Sequence, residues 1–261
     1  MNFTYISGII LKHLLITFKD ISRILNIFYW PFINIIIMGI TGMWFEQSTA
    51  YNGNFALIFL SAGMFWDISL MITVQVANSL LNEILDKNLA NIFTTPIDLS
   101  EWIVADIITR IIDTILVFAF STFTIWLMFG LNIFKNGWYI IPFTLSLMMS
   151  GWCIGFFLCG IIMALGKKAI DLIYYIGWFF APFCAVYYPL KLLPNSLQLI
   201  SKALPMTYVF EGMRSILTAG IMNNYDLLLS FILNIFYLSV SILFFRYMFN
   251  RSKINGLANL E

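Results

Sequence analysis

The chain has 261 residues, of which 61% are hydrophobic and 10% charged, and its net charge is +1. A soluble domain carries roughly 45–50% apolar and about 25% charged residues, so an ordinary soluble fold is excluded. The near-neutral balance gives no global pull toward nucleic acid. Three cysteines without CxxC spacing and one remote histidine argue against a disulfide framework or a metal site.

In chain order, residues 1–26 read as an interfacial helix rather than a cleavable signal, because no compact apolar stretch ends in a small-residue cleavage site. At 100° per residue Lys12, His13, Lys19, Asp20 and Arg23 share one arc, as expected for a helix lying on a membrane leaflet. Six apolar runs follow: Phe28–Phe45, Phe55–Leu80, Ile111–Leu131, Tyr139–Leu165, Ile170–Pro189 and Leu227–Phe249. A bilayer core takes about 20 apolar residues per helical span. Lipid offers no partner to backbone N–H and C=O groups, so each run is expected to be a helix. The fold class is therefore all-α, a six-span membrane protein, and 1–261 reads as one membrane domain.

Trp30-Pro31 is expected to open the first span, where a proline in the first turn costs little. Asp67 stands near the middle of the second. A carboxylate at bilayer depth is costly and points to function by default. It is expected either to line a polar pathway, with Trp66, Tyr174, Tyr175 and Trp178 as aromatic neighbours, or to pack as a protonated group.

Between the second and third spans, Ile84, Leu85, Leu89, Ile92 and Phe93 recur at helical spacing against Glu83, Asp86, Lys87 and Asn91. This predicts a short amphipathic helix over 83–98, stopped by Thr95-Pro96. Asp98 and Glu101 offer a cap to the helix after it. That helix is expected to begin in water, with Asp106, Arg110 and Asp113 on one stripe as a neutralised ladder.

Gly151 and Gly155 form a small-xxx-small pattern that permits close helix approach. Lys167-Lys168 marks a tight turn. The stretch 190–222, with Pro189 just before it and Pro194 and Pro205 within it, predicts two short helices dipping part-way into the outer leaflet. With an even number of spans, ten of the fourteen Lys and Arg fall on the side of both termini, which places the termini in the cytoplasm. No catalytic kit is present: HExxH, GxSxG and the P-loop are all missing, so the chain does not bind ATP by that route.

Two segments carry a family resemblance. Leu204 to Arg214, with Pro205, Thr207, Tyr208, Glu211 and Arg214, resembles the Asn-Pro-Leu-Thr-Tyr-x-x-Glu-x-x-Arg motif of ABC-transporter permeases of the second exporter type; Leu204 replaces the asparagine. Glu83 to Pro96, matching at Glu83, Leu89, Thr95 and Pro96, is similar to that family's coupling helix; Lys87, Asn88 and Ala90 depart from it.

The resemblance implies a half-transporter that pairs as a homodimer in the cytoplasmic (inner) membrane. Separate ABC ATPase subunits would bind the ATP and Mg, so this chain would hold no cofactor. Glu83, Leu85, Asp86, Lys87, Leu89, Phe93, Thr95 and Pro96 would seat the ATPase. Pro205, Thr207, Tyr208, Glu211 and Arg214 would belong to an exterior gate. The substrate would be an amphipath such as a lipid, glycolipid, polysaccharide or drug, exported past membrane lipid. The alternative readings are a membrane-embedded enzyme and a non-transporting assembly protein.

Overall fold

The computed structural model describes residues 3–19, 21–48, 55–89, 98–221 and 223–255, and among them there is no strand. The helices are α1 (Phe3–Lys19), α2 (Ile21–Ser48), α3 (Phe55–Leu85), α4 (Leu99–Phe129), α5 (Ile140–Leu165), α6 (Ile170–Phe179), α7 (Asn195–Ala203), α8 (Pro205–Ala219) and α9 (Asn224–Asn255). Four stretches are long and apolar enough to cross a membrane: Ile27–Ser48, Phe55–Leu85, Gly137–Phe179 and Asn224–Ile254. The last three surround the core, and α3 is its axis. Phe65, Ile68, Ile72, Val76, Leu80 and Ile84 of α3 are all fully covered.

Lipid tails are as apolar as leucine, so helices in a bilayer associate by close packing and polar contacts rather than by a hydrophobic drive. Both devices are present. A Cβ on Gly151 would stand 2.8 Å from the Ser69 carbonyl, and one on Gly155 would stand 2.8 Å from Val76 Cβ. The two glycines thus let α5 lie directly on α3. Thr73 Oγ1 donates to the Ser69 carbonyl at 3.0 Å and lies 3.3 Å from that of Gly151.

α5 meets α9 through a buried relay. Ser150 Oγ donates to Asn234 Oδ1 at 2.7 Å, and Asn234 Nδ2 donates to Ser146 Oγ at 2.9 Å. Ser146 and Ser230 hydroxyls are 2.6 Å apart, and Ser230 Oγ donates to the Pro205 carbonyl at 2.8 Å. Every hydroxyl in the relay has a partner, which is what a polar group in hydrocarbon requires. The relay also anchors the start of α8.

Several boundaries differ from the sequence expectation. In the stretch 1–26, α1 is described to Lys19 and α2 from Ile21, and Asp20 between them lies outside the described residues. Pro31 therefore lies inside α2 and not in the first turn of a span, and it leaves one backbone carbonyl of the preceding turn without its usual donor. α4 begins at Leu99 with Asp98 as N-cap, whose backbone N–H donates to Glu101 Oε2 at 3.2 Å. Its first half is not wet: Asp106, Arg110 and Asp113 are all buried. They are tolerated there because Arg110 lies 2.6 Å from Asp113 and 3.5 Å from Asp106, and also donates to Gln75 of α3.

The helix expected over Ile170–Pro189 stops at Phe179. Pro182 lacks the N–H needed to continue it, and Ala185 takes a left-handed φ of 52°. Before it, Gly166 turns the chain at φ 58°, ψ −137°, a region open essentially to glycine. Cys153, Cys159 and Cys184 are buried and free.

Candidate functional site

Three groups of residues concentrate the chemistry. The first is the far end of α3. Glu83 and Leu85 form its last turn, and Asp86 and Lys87 then turn the chain, with Lys87 at φ 54°. The helix expected from Glu83 therefore does not start there. Glu83 is also not presented to a partner. Its carboxylate takes Lys12 Nζ of α1 at 2.5 Å on one oxygen and Asn88 Nδ2 at 2.8 Å on the other.

The break at Lys87 also separates Leu85 from Leu89, two residues of the expected stripe. Leu85 is 40% exposed, whereas Leu89 is 3% exposed and joins the chain's own core. Phe93, Thr95 and Pro96 lie outside the described residues, as do Asn91 and Ile92.

The second group is α8. Pro205 occupies its first turn, and Thr207 and Arg214 are buried. The Arg214 guanidinium has three acceptors: the Val186 carbonyl at 3.0 Å, the Ala185 carbonyl at 2.5 Å and Glu211 Oε1 at 2.7 Å. Glu211 Oε1 also accepts the Leu190 N–H at 2.9 Å. A fork of fixed donors suits this task, since the irregular segment after α6 has carbonyls with no helical partner. Tyr208 donates to the Lys202 carbonyl at 2.6 Å, tying α8 to α7. Burial, with Asp226 and Tyr225 nearby, raises its hydroxyl above the ordinary tyrosine range. Glu211 and Arg214 are three residues apart on one helix face, but nothing local in the sequence signals that the pair holds residues 185–190.

The third group surrounds Asp67. Asn34 of α2 donates from Nδ2 to Asp67 Oδ1 at 2.9 Å. The Tyr187 phenol, just beyond the break, lies next to both. Trp66 is fully buried, with its ring centroid 6.2 Å from that of Trp178. Trp178, Tyr174 and Tyr175 are exposed on α6, at 56%, 52% and 71%. Trp66 and Trp178 thus meet between α3 and α6, and Tyr174 and Tyr175 are exposed without a described link to Asp67. In the sequence Asn34 is only a lone amide in an apolar run, with no local sign of Asp67. Lys12 and Gln75 gave no local sign of their distant partners.

Comparison with known proteins adds one firm result. No curated protein matches the chain. The sequence profile described as ABC-2 type transporter matches residues 14–218, most of the chain, including α8 with Glu211 and Arg214. The chain therefore belongs to the ABC-2 type transporter family, as an integral-membrane permease component of an ABC transporter.

Proposed function

We propose that this chain is the membrane half of an ATP-driven exporter. Two copies pair in the cytoplasmic membrane, both termini face the cytoplasm, and separate ABC ATPases supply the energy. The chain crosses six times, with the apolar second half of α4 and the α6 break as the two further crossings. The substrate is an amphipath drawn from the membrane.

The observation that carries this reading is the break after Phe179, held by Arg214 and Glu211 of α8. Non-helical backbone at membrane depth is stable only where protein covers it or a wet cavity borders it. Here it is clamped by side chains of a neighbouring short helix, an arrangement that can open as a unit. Tyr187, within the broken segment, neighbours Asn34 and Asp67, and all three residues are only partly covered by their own chain. Facing lipid they would be costly, so this side suits the interface with a second copy and a path between the halves.

Force reaches the break from the Glu83 end of α3. The Lys12–Glu83 pair joins α1 to that end, so an ATPase pushing on the 83–98 segment or on α1 moves both. The test is purification of the chain from its native membrane with its associated ATPase. A chain that copurifies with a P-loop ATPase, in a preparation whose ATP hydrolysis is vanadate-sensitive, supports the reading. A chain that purifies free of any ATPase contradicts it.

A further inference from the structure

We propose that Asp67, Asn34 and Tyr187 form an intramembrane site for a protonated amine on the transported amphipath. The proposal rests on the transporter reading above and names the chemistry of its substrate.

Asp67 differs from the acidic side chains that pair with a cation inside the protein. Glu83 sits against Lys12, Asp106 and Asp113 against Arg110, and Glu211 against Arg214. Among the described residues no cation pairs with Asp67. Asn34 donates to one oxygen, and Oδ2 is covered without any donor. A carboxylate at this depth needs a partner, and the protein supplies half of one.

The amide is held in that role. Gly63, one turn before Asp67, lets α2 approach; a Cβ there would come within 3.3 Å of Asn34 Nδ2. With Oδ1 occupied by the amide, Oδ2 is the acceptor left for a ligand. An alkylammonium presents three N–H donors. Oδ2 and the neighbouring Tyr187 hydroxyl are the acceptors such a head group would find here.

A divalent metal is a poor fit, because one carboxylate, one amide and one phenol supply too few hard ligands. Position also fits. Secondary transporters place substrate sites near mid-membrane, where a helix is discontinuous. Asp67 is the thirteenth residue of the 31-residue α3 and lies beside the discontinuity after α6.

The test uses the full chain in nanodiscs of zwitterionic lipid, without ATPase or ATP. Binding of dodecylamine and of dodecanol is measured by calorimetry against empty nanodiscs. The wild-type chain is expected to bind the amine saturably and at least tenfold tighter than the alcohol. Asp67→Asn should remove that preference and leave the alcohol unchanged, and Asp67→Glu should restore part of it. Equal binding of amine and alcohol by the wild type, or an undiminished preference in Asp67→Asn, overturns the proposal. Should Asp67→Asn fail to fold, the wild-type comparison alone decides. Because no ATPase is present, a negative result here leaves ATP-driven transport standing, and a failure to transport leaves amine binding standing.

Discussion

Lys12 Nζ lies 2.5 Å from Glu83 Oε1, across 71 residues of sequence. The contact fastens α1 to the end of α3, and the Glu83 side chain is 9% exposed. Removing Lys12 leaves a shielded carboxylate with Asn88 alone. Lys12→Met and Glu83→Gln should each lower thermal stability and increase proteolysis of α1. Because the two residues touch, a double-mutant cycle should give a coupling of roughly 0.5–3 kcal/mol. Strict additivity would mean that α1 docks by its apolar face alone.

Arg214 supports the second prediction. Its guanidinium has acceptors on residues 185, 186 and 211, a pattern a single ammonium cannot reproduce. Arg214→Met should cost roughly 1–3 kcal/mol by leaving two carbonyls without donors and the partly exposed Glu211 carboxylate with the Leu190 N–H alone. Arg214→Lys should recover only part of that. Removing Glu211 as well should cost less than the sum of the single losses. Full stability of Arg214→Lys would show that the break after α6 does not depend on the fork.

Leu85 and Leu89 should behave differently. Leu89 is in the core, so Leu89→Ser should destabilise the whole protein, by about 2–5 kcal/mol if it acts like a buried leucine truncation. Leu85 is exposed. Leu85→Ser should leave the melting temperature nearly unchanged and weaken ATPase docking by roughly an order of magnitude, as the loss of one apolar anchor of about 1.5–3 kcal/mol would do. Melting curves and pull-downs of the two variants separate these outcomes; identical behaviour contradicts the account.

The α3–α5 contact gives a fourth prediction. Gly151→Leu places a large side chain where even a Cβ stands 2.8 Å from the backbone oxygen of Ser69. It should prevent assembly of the bundle, read as loss of a monodisperse peak in detergent. Gly8→Leu, where nothing lies within 4 Å, should be tolerated. Normal assembly of Gly151→Leu would remove the close approach from the fold's supports.

The apolar runs, the polar breaks and the Pro205–Arg214 motif were legible because each is a local pattern. The position of α8 and the Asp98 cap follow directly from such patterns. Two kinds of feature were not. Breaks depend on single residues inside favourable runs: Pro182 ends α6 early, and the left-handed Lys87 puts Leu85 and Leu89 on unrelated surfaces. Partnerships between distant residues are invisible to periodicity. Arg110 looks like a wetted charge until Gln75 of α3 is seen beside it, and the serines at 146, 150 and 230 are unremarkable until Asn234 joins them.

The central claim is that this chain moves an amphipath when a separate ATPase hydrolyses ATP. It is tested most directly by co-reconstituting the purified chain and its ATPase into proteoliposomes and following a fluorescent long-chain amine across the bilayer. The account predicts ATP-driven movement that requires both subunits and is lost in Arg214→Met at temperatures where that variant remains assembled. Movement that proceeds without ATP, or that the ATPase supports without this chain, would contradict it.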